Sequence, residues 1–144
     1  MQKDAHAQQQ QSKPYVFVAM PFDVEMEDIY YYGINRATSA NDLQSVRIDQ
    51  AAFTGDIVQQ IKTSIHMAAA VVAELSGANP NVYLELGYAW GRAIPTVLLL
   101  RDGDNLCFDV RGQKCIMYRT IKGLETALTE ELARLKANGT IKST

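Results

Sequence analysis

The chain has 144 residues, 47% of them hydrophobic, and a formal net charge of −2. This length predicts a single domain, and this hydrophobic content suffices for one core. The nearly balanced charge excludes a general electrostatic attraction to long nucleic acids or to membranes, so any nucleotide partner should be a small molecule. The apolar runs are much shorter than the roughly 20 residues of a membrane-spanning helix, and no signal-peptide pattern is present, so we expect a cytoplasmic protein.

The N-terminal part of the chain predicts a polar tail, a buried strand and a helix. Residues 1–13 are polar and include a run of glutamines, so we expect a disordered tail, with residues 14–144 forming the domain. Residues 15–20 are β-branched, aromatic or otherwise apolar, which is typical of a strand buried on both faces. Pro21 ends this strand, and helical spacing of apolar residues predicts a helix over residues 25–40.

The rest of the chain alternates predicted strands with predicted helices. Strands are expected at residues 44–49, 70–75, 96–100 and 115–118, and helices are expected to begin near residues 54, 79 and 120. Continuous apolar strands joined to helices by short loops favour an α/β fold, with a parallel sheet of about five strands and helices on both faces. In such sheets ligands bind beyond the C-terminal ends of the strands.

The helix predicted from Asn79 carries a single carboxylate, Glu85, within the most apolar part of the chain. Asn79 suits the N-cap position of that helix. At about 100° per residue, Glu85 borders the apolar face of the helix, in one strip with Tyr88 and Arg92. An exposed glutamate contacting Arg92 is the simplest alternative. However, Glu85 is the only acid in residues 75–101, so a half-buried carboxylate used for chemistry is the better interpretation.

The predicted ends of the strands bring further groups towards Glu85. The candidates for catalysis and substrate binding are Met20, Pro21, Phe22 and Asp23 after the first strand, Arg47 and Asp49 in the second, Glu74 in the third, and Asn79 and Asn81 at the helix start. Backbone amides at a helix start suit an anionic group such as a nucleotide phosphate.

Several common kinds of site are missing from the sequence. It contains no phosphate-binding glycine loop, no set of residues for a Ser/His/Asp or Cys/His nucleophile, and no metal-ligand spacing, so we expect neither a metal nor a bound cofactor. A group of carboxylates around one cleft remains. A carboxylate nucleophile with an oxocarbenium-like transition state is well suited to breaking a bond at C1′ of a sugar.

Three segments resemble the nucleoside 2-deoxyribosyltransferase-like group of TIR-like nucleotide-binding proteins. They are VFVAMPF at residues 16–22, NPNVYLELGYA at residues 79–89 and FDVR at residues 108–111, which adds Asp109 to the substrate-binding candidates. The resemblance implies a flavodoxin-like sheet in the order 2-1-3-4-5. It also implies that Glu85 is a nucleophile that takes the sugar as a glycosyl ester, or that it cleaves the nicotinamide glycosidic bond of NAD.

We therefore expect an enzyme that cleaves or transfers the N-glycosidic bond of a nucleoside, a nucleotide or NAD, with NAD as a substrate rather than a cofactor. In this interpretation Asp49 or Glu74 assists the leaving base and Tyr88 orients the nucleophile. Arg47 or the amides at Asn81 would hold a phosphate.

Two departures from the resemblance keep a second function open. Relatives often have an aspartate where this chain has Ala69, and another where it has Glu74. A missing acid is consistent with a module that binds a nucleotide without cleaving it and reports the binding through oligomerisation. A purely structural domain is the third alternative, and it would leave Glu85 unexplained. We expect the chain to form homo-oligomers.

Overall fold

The computed structural model describes residues 13–49, 56–106 and 113–142, and its centre is a parallel sheet. The strands are β1 (Tyr15–Ala19), β2 (Gln44–Val46), β3 (Ala70–Glu74), β4 (Thr96–Arg101) and β5 (Cys115–Tyr118). Every neighbouring pair is parallel, and the spatial order is β2-β1-β3-β4-β5. This is the flavodoxin-like α/β fold that the sequence predicts.

Helices cover both faces of the sheet. They are α1 (Val24–Asp28), a π-helical turn (Ile29–Ile34), α2 (Asn35–Ala40), α3 (Ile57–His66), α4 (Pro80–Gly91) and α5 (Ile121–Ala137). The first three follow one another without a break. Together with α5 they pack on one face, and α3 and α4 pack on the other.

The two hydrophobic cores follow from the alternation of side chains along the central strands. In β1, Val16 and Val18 face the core under α5, whereas Phe17 and Ala19 face the core under α3 and α4. All five residues of β3 are buried, because this strand has neighbours on both sides and helices on both faces. This double burial explains why these strands read as continuous apolar runs.

The second strand is shorter than the sequence predicts. Its ladder with β1 ends at Val46, although alternation of apolar and polar residues predicted a strand as far as Asp49. Since β2 is an edge strand with one neighbour, its last residues are not held in the sheet by a second partner. Arg47 instead stacks on the ring of Phe22, in the loop after β1, and on that of Tyr30, in the helical segment that follows.

Several predicted features fall outside the described residues. These are most of the tail predicted at residues 1–13, the helix start near residue 54, and Asp109 with the rest of the segment 108–111. Within the described part of the chain, no helix combines the length and the apolar composition needed to cross a membrane.

The first helical segment differs from the regular helix predicted over residues 25–40. Its middle, Ile29–Ile34, is π-helical, which widens the helix locally. The turn buries Tyr30 and leaves Tyr31 and Tyr32 exposed, so the three consecutive tyrosines divide between core and surface.

Gly33 allows the π-helical turn to approach α5 closely. A Cβ atom at this position would lie 2.9 Å from Cδ2 of Leu124, a fully buried side chain. We predict that Gly33→Ala lowers the free energy of unfolding by about 1 kcal/mol, because the added methyl group overpacks the core. Denaturation in urea measures this change.

Gly87→Ala is the matched control for this prediction. A Cβ atom at Gly87 would meet nothing within 4 Å. Alanine is favoured over glycine in a helix by up to about 1 kcal/mol, so this variant should be as stable as the parent or more stable. Equal effects of the two substitutions would contradict the packing argument.

Candidate functional site

The start of α4 determines the position of Glu85. Asn79 is the N-cap, and its Oδ1 accepts a hydrogen bond from the backbone N–H of Asn81 at 2.9 Å. Pro80 occupies the first helical position, where a missing N–H is no loss. Helix α4 therefore begins where the sequence predicts. The backbone N–H of Asn81 is already bonded, however, which corrects the expectation that it is free to hold a phosphate.

Glu85 lies in the second turn of α4 and is 9% exposed. The same helix buries Val82, Leu86 and Ala89 against the sheet. A carboxylate among these side chains is largely removed from water, and this costs free energy unless polar groups compensate it. The small exposed part of Glu85 contributes to the wall of a cleft.

The cleft lies at the C-terminal ends of β1 and β2 and has a volume of about 160 Å³. It is lined by Met20, Pro21, Phe22, Ile48, Asp49, Asn79, Asn81, Val82 and Glu85. Seven of these nine residues are sequence-predicted candidates. Ile48 and Val82 are the additions. Both were predicted as apolar positions of a strand and a helix, and only the three-dimensional structure shows that they reach the cleft.

Four further candidates within the described residues, Asp23, Arg47, Glu74 and Tyr88, do not line this cleft. Asp23 is the exposed N-cap residue of α1, and the guanidinium of Arg47 stacks on the ring of Tyr30. Tyr88 lines a second groove between α3 and α4, and its hydroxyl accepts a hydrogen bond from Nε of Arg92 at 3.3 Å. Tyr88 therefore lies outside the cleft lining, although it lines the second groove together with Glu85.

The second groove shares Glu85 with the cleft. It has a volume of about 270 Å³ and is lined mostly by apolar side chains of α3 and α4, with Lys62 as its only basic residue. Glu85 is thus the boundary between a polar cleft at the strand ends and an apolar groove between two helices.

Glu74 is fully buried and lies outside the residues that line the cleft. Along β3 it follows the alternation of Val72, whose side chain lies in the core under α5. Its Oε1 accepts a hydrogen bond from the backbone N–H of Ser76 at 2.6 Å, and its Oε2 accepts one from the hydroxyl of Tyr118. Both oxygens therefore have hydrogen-bond partners within the protein.

The groups in the cleft define what it can do chemically. Glu85 supplies a buried carboxylate, Asp49 an exposed one, and Asn79 and Asn81 supply side-chain amides beside the positive end of the α4 dipole. Phe22 is 40% exposed and adds an aromatic surface. Among the described residues, no group of three or more His, Cys, Asp or Glu side chains could hold a metal ion.

Comparison with solved structures supports the fold. The chain is similar to the CMP N-glycosidase of Clostridium botulinum, with 18% identity, a TM-score of 0.65, and coverage of 81% of this chain and 98% of that one. It is also similar to a diflavin flavoprotein A3 from Nostoc sp., with 12% identity, a TM-score of 0.56, and coverage of 89% and 99%. No protein-family model and no curated protein matches the chain. At these identities the likeness establishes the fold alone.

The buried pair of Glu74 and Tyr118 predicts a dependence of stability on alkaline pH. Burial, together with the negative charge of Glu74, raises the pKa of the Tyr118 hydroxyl well above its ordinary value. The folded protein therefore holds this proton more tightly than the unfolded chain does. The resulting stabilisation is complete below the unfolded pKa of about 10 and declines as the pH rises above it.

We predict that Tyr118→Phe makes the alkaline loss of stability less steep. The variant should be less stable than the parent at pH 7, because the hydrogen bond to Glu74 is lost. Above about pH 10 the difference between the two proteins should shrink. Urea denaturation at a series of pH values measures it, and parallel curves for the two proteins would be the contrary result.

Proposed function

We propose that this protein cleaves or transfers the N-glycosidic bond of a nucleoside, a nucleotide or NAD, with Glu85 as the nucleophile. The observation that carries the proposal is the position of Glu85. It is a largely buried carboxylate that lines a cleft at the strand ends. The similarity in fold to a CMP N-glycosidase is consistent with this proposal.

The reaction would proceed by two displacements at C1′. A carboxylate oxygen of Glu85 forms a bond to C1′ while the C1′–N bond breaks. The electron pair of the C1′–N bond leaves with the base, and the base takes up a proton. Water or an acceptor base then attacks C1′ of the glycosyl ester, loses a proton and releases the carboxylate. Low exposure of Glu85 favours the first step because it excludes competing water.

Asp49 is the acid that we assign to proton exchange with the base. It is the second carboxylate that lines the cleft, and its exposure lets it exchange protons with solvent. Glu74 is less suited to this role, because both of its oxygens accept hydrogen bonds inside the protein. Its role in our proposal is to hold the loop before α4 in place.

An anionic group of the substrate would lie at the start of α4. The side chains of Asn79 and Asn81 line the cleft there, and the helix dipole favours negative charge at this end. Since the N–H of Asn81 is bonded to Asn79, the side-chain amides and the dipole are the better candidates for binding a phosphate.

A second function is favoured by the hydrogen bonds of Glu74. Because both oxygens of Glu74 have partners, Asp49 is the one of these two acids left to assist the leaving base, and it lies in an exposed position. If Asp49 does not serve this purpose, the same cleft would bind a nucleotide without cleaving it. The protein would then act as a nucleotide-sensing module.

We predict that Glu85→Gln abolishes base release and leaves ligand binding nearly unchanged. Glutamine preserves the shape and most hydrogen bonds of the side chain but cannot form the glycosyl ester. The rate should fall by at least about a thousandfold, whereas loss of one supporting hydrogen bond costs roughly ten- to a hundredfold. Chromatography of the base released from CMP, deoxycytidine and NAD measures the rate.

Glu130→Gln, a change of an exposed glutamate on α5, is the control and should behave as the parent does. If Glu85→Gln retains activity within about tenfold of the parent, which corresponds to ~1.4 kcal/mol, Glu85 is not the nucleophile. If the parent binds these compounds but releases no base, the nucleotide-sensing function replaces the enzymatic one.

A further inference from the structure

Arg47 takes part in a stack of three planar groups behind the cleft. Its Cζ lies 4.0 Å from the ring centroid of Tyr30 and 4.5 Å from that of Phe22, and Tyr31 follows at 5.8 Å. Distances of this size are typical of cation–π contacts. Of these three aromatic residues, only Phe22 lines the cleft. The guanidinium therefore connects the cleft wall to the helical segment behind it.

The position of Arg47 argues against direct contact with a phosphate in the cleft. Its Nη1 atom is buried and has no hydrogen-bond partner among the described residues. A buried charged donor without a partner is costly, and the aromatic ring faces offset part of this cost. Arg47 itself is absent from the described residues that line the cleft, so its guanidinium is not placed to bind a phosphate there.

Tyr30 is held firmly on its side of the stack. Its hydroxyl donates a hydrogen bond to Oγ of Ser45 at 2.8 Å, and that hydroxyl donates in turn to Oδ1 of Asn35 at 2.8 Å. Tyr30 belongs to the π-helical turn, and Ser45 belongs to β2. Arg47 thus rests against a ring that is fixed by two elements of the fold.

The chemistry at Glu85 indicates what Phe22 would contact. In a displacement at C1′, the leaving base lies on the side of C1′ away from the attacking carboxylate. Phe22 is the only aromatic residue among the described residues that line the cleft, and its 40% exposure leaves ring surface available. Planar bases stack well on aromatic rings.

We propose that Arg47 is a positioning residue, which holds the Phe22 ring as the surface on which the base of a nucleoside or nucleotide stacks. This inference rests on the proposed function of the cleft. It assigns Arg47 to base recognition through Phe22 and not to the phosphate.

The test uses two changes of Arg47 and one matched control. Arg47→Lys keeps the charge but loses the planar group, and Arg47→Met keeps an unbranched side chain without charge. Arg36→Lys is the control. Cζ of Arg36 lies 4.9 Å from the ring centroid of the exposed Tyr32, and neither residue lines the cleft.

The first measurement needs no ligand. NMR spectra of the ring resonances of Phe22 should change in both Arg47 variants and stay the same in Arg36→Lys. Unchanged Phe22 resonances in the Arg47 variants would overturn the proposal, whatever the protein binds.

The second measurement compares the binding of CMP and cytidine by NMR titration. If Arg47 acts through Phe22, both Arg47 variants should weaken both compounds by the same factor, about five- to tenfold. A loss confined to CMP would show direct contact with the phosphate and overturn the proposal. Combining Arg47→Lys with Phe22→Leu should weaken binding no more than Phe22→Leu alone.

The same titration separates this inference from the proposed function. If the parent binds CMP and cytidine and Glu85→Gln abolishes base release, but both Arg47 variants bind as the parent does, only the role of Arg47 is wrong. If the parent binds neither compound and does not bind NAD either, the proposed function fails and the base-stacking role fails with it.

Discussion

The buried carboxylate of Glu74 determines the path of the chain between β3 and α4. One oxygen holds the backbone of Ser76, and the other holds the hydroxyl of Tyr118 on β5. The hydroxyl of Ser76 in turn accepts a hydrogen bond from the backbone N–H of Arg101 on β4, at 2.8 Å. Three strands therefore anchor the loop from which α4 begins. The position of Glu85 depends on this anchoring, since a helix starts in the direction that its preceding loop allows.

The two glutamates of this region, Glu74 and Glu85, have identical side chains in different surroundings. Glu74 is fully buried, and two donors within the protein occupy its oxygens, so its charge serves the fold. Glu85 is nearly as buried but lines both a cleft and a groove. A carboxylate at such a boundary can meet a ligand without first becoming fully solvated. Two acids that the sequence analysis assigned to one site therefore lie in different surroundings.

Local signals allowed much of the fold and the site to be predicted. Asn79 and the proline after it mark a helix start through the chemistry of capping alone, and doubly buried strands are visible as apolar runs. The partners of Glu74 were not predictable in this way, because Tyr118 is 44 residues away in the chain. The stack of Arg47 on Tyr30 likewise depends on a π-helical turn, which the spacing of apolar residues in the sequence does not predict. Contacts between segments that are distant in the chain were therefore the part of the structure that the sequence did not predict.

The π-helical turn lets the first helical segment hold one more residue without rotating its two ends against each other. Met26 lies before the turn and Ala37 lies after it, and both pack in the same core. Hydrogen bonds in a π-helix span five residues instead of four, so the turn takes up an extra residue in about the same rotation about the helix axis. Deleting one residue from Ile29–Ile34 and restoring α-helical geometry would therefore leave both apolar faces directed at the core. Proteins that keep this architecture can thus have a regular helix one residue shorter at this place.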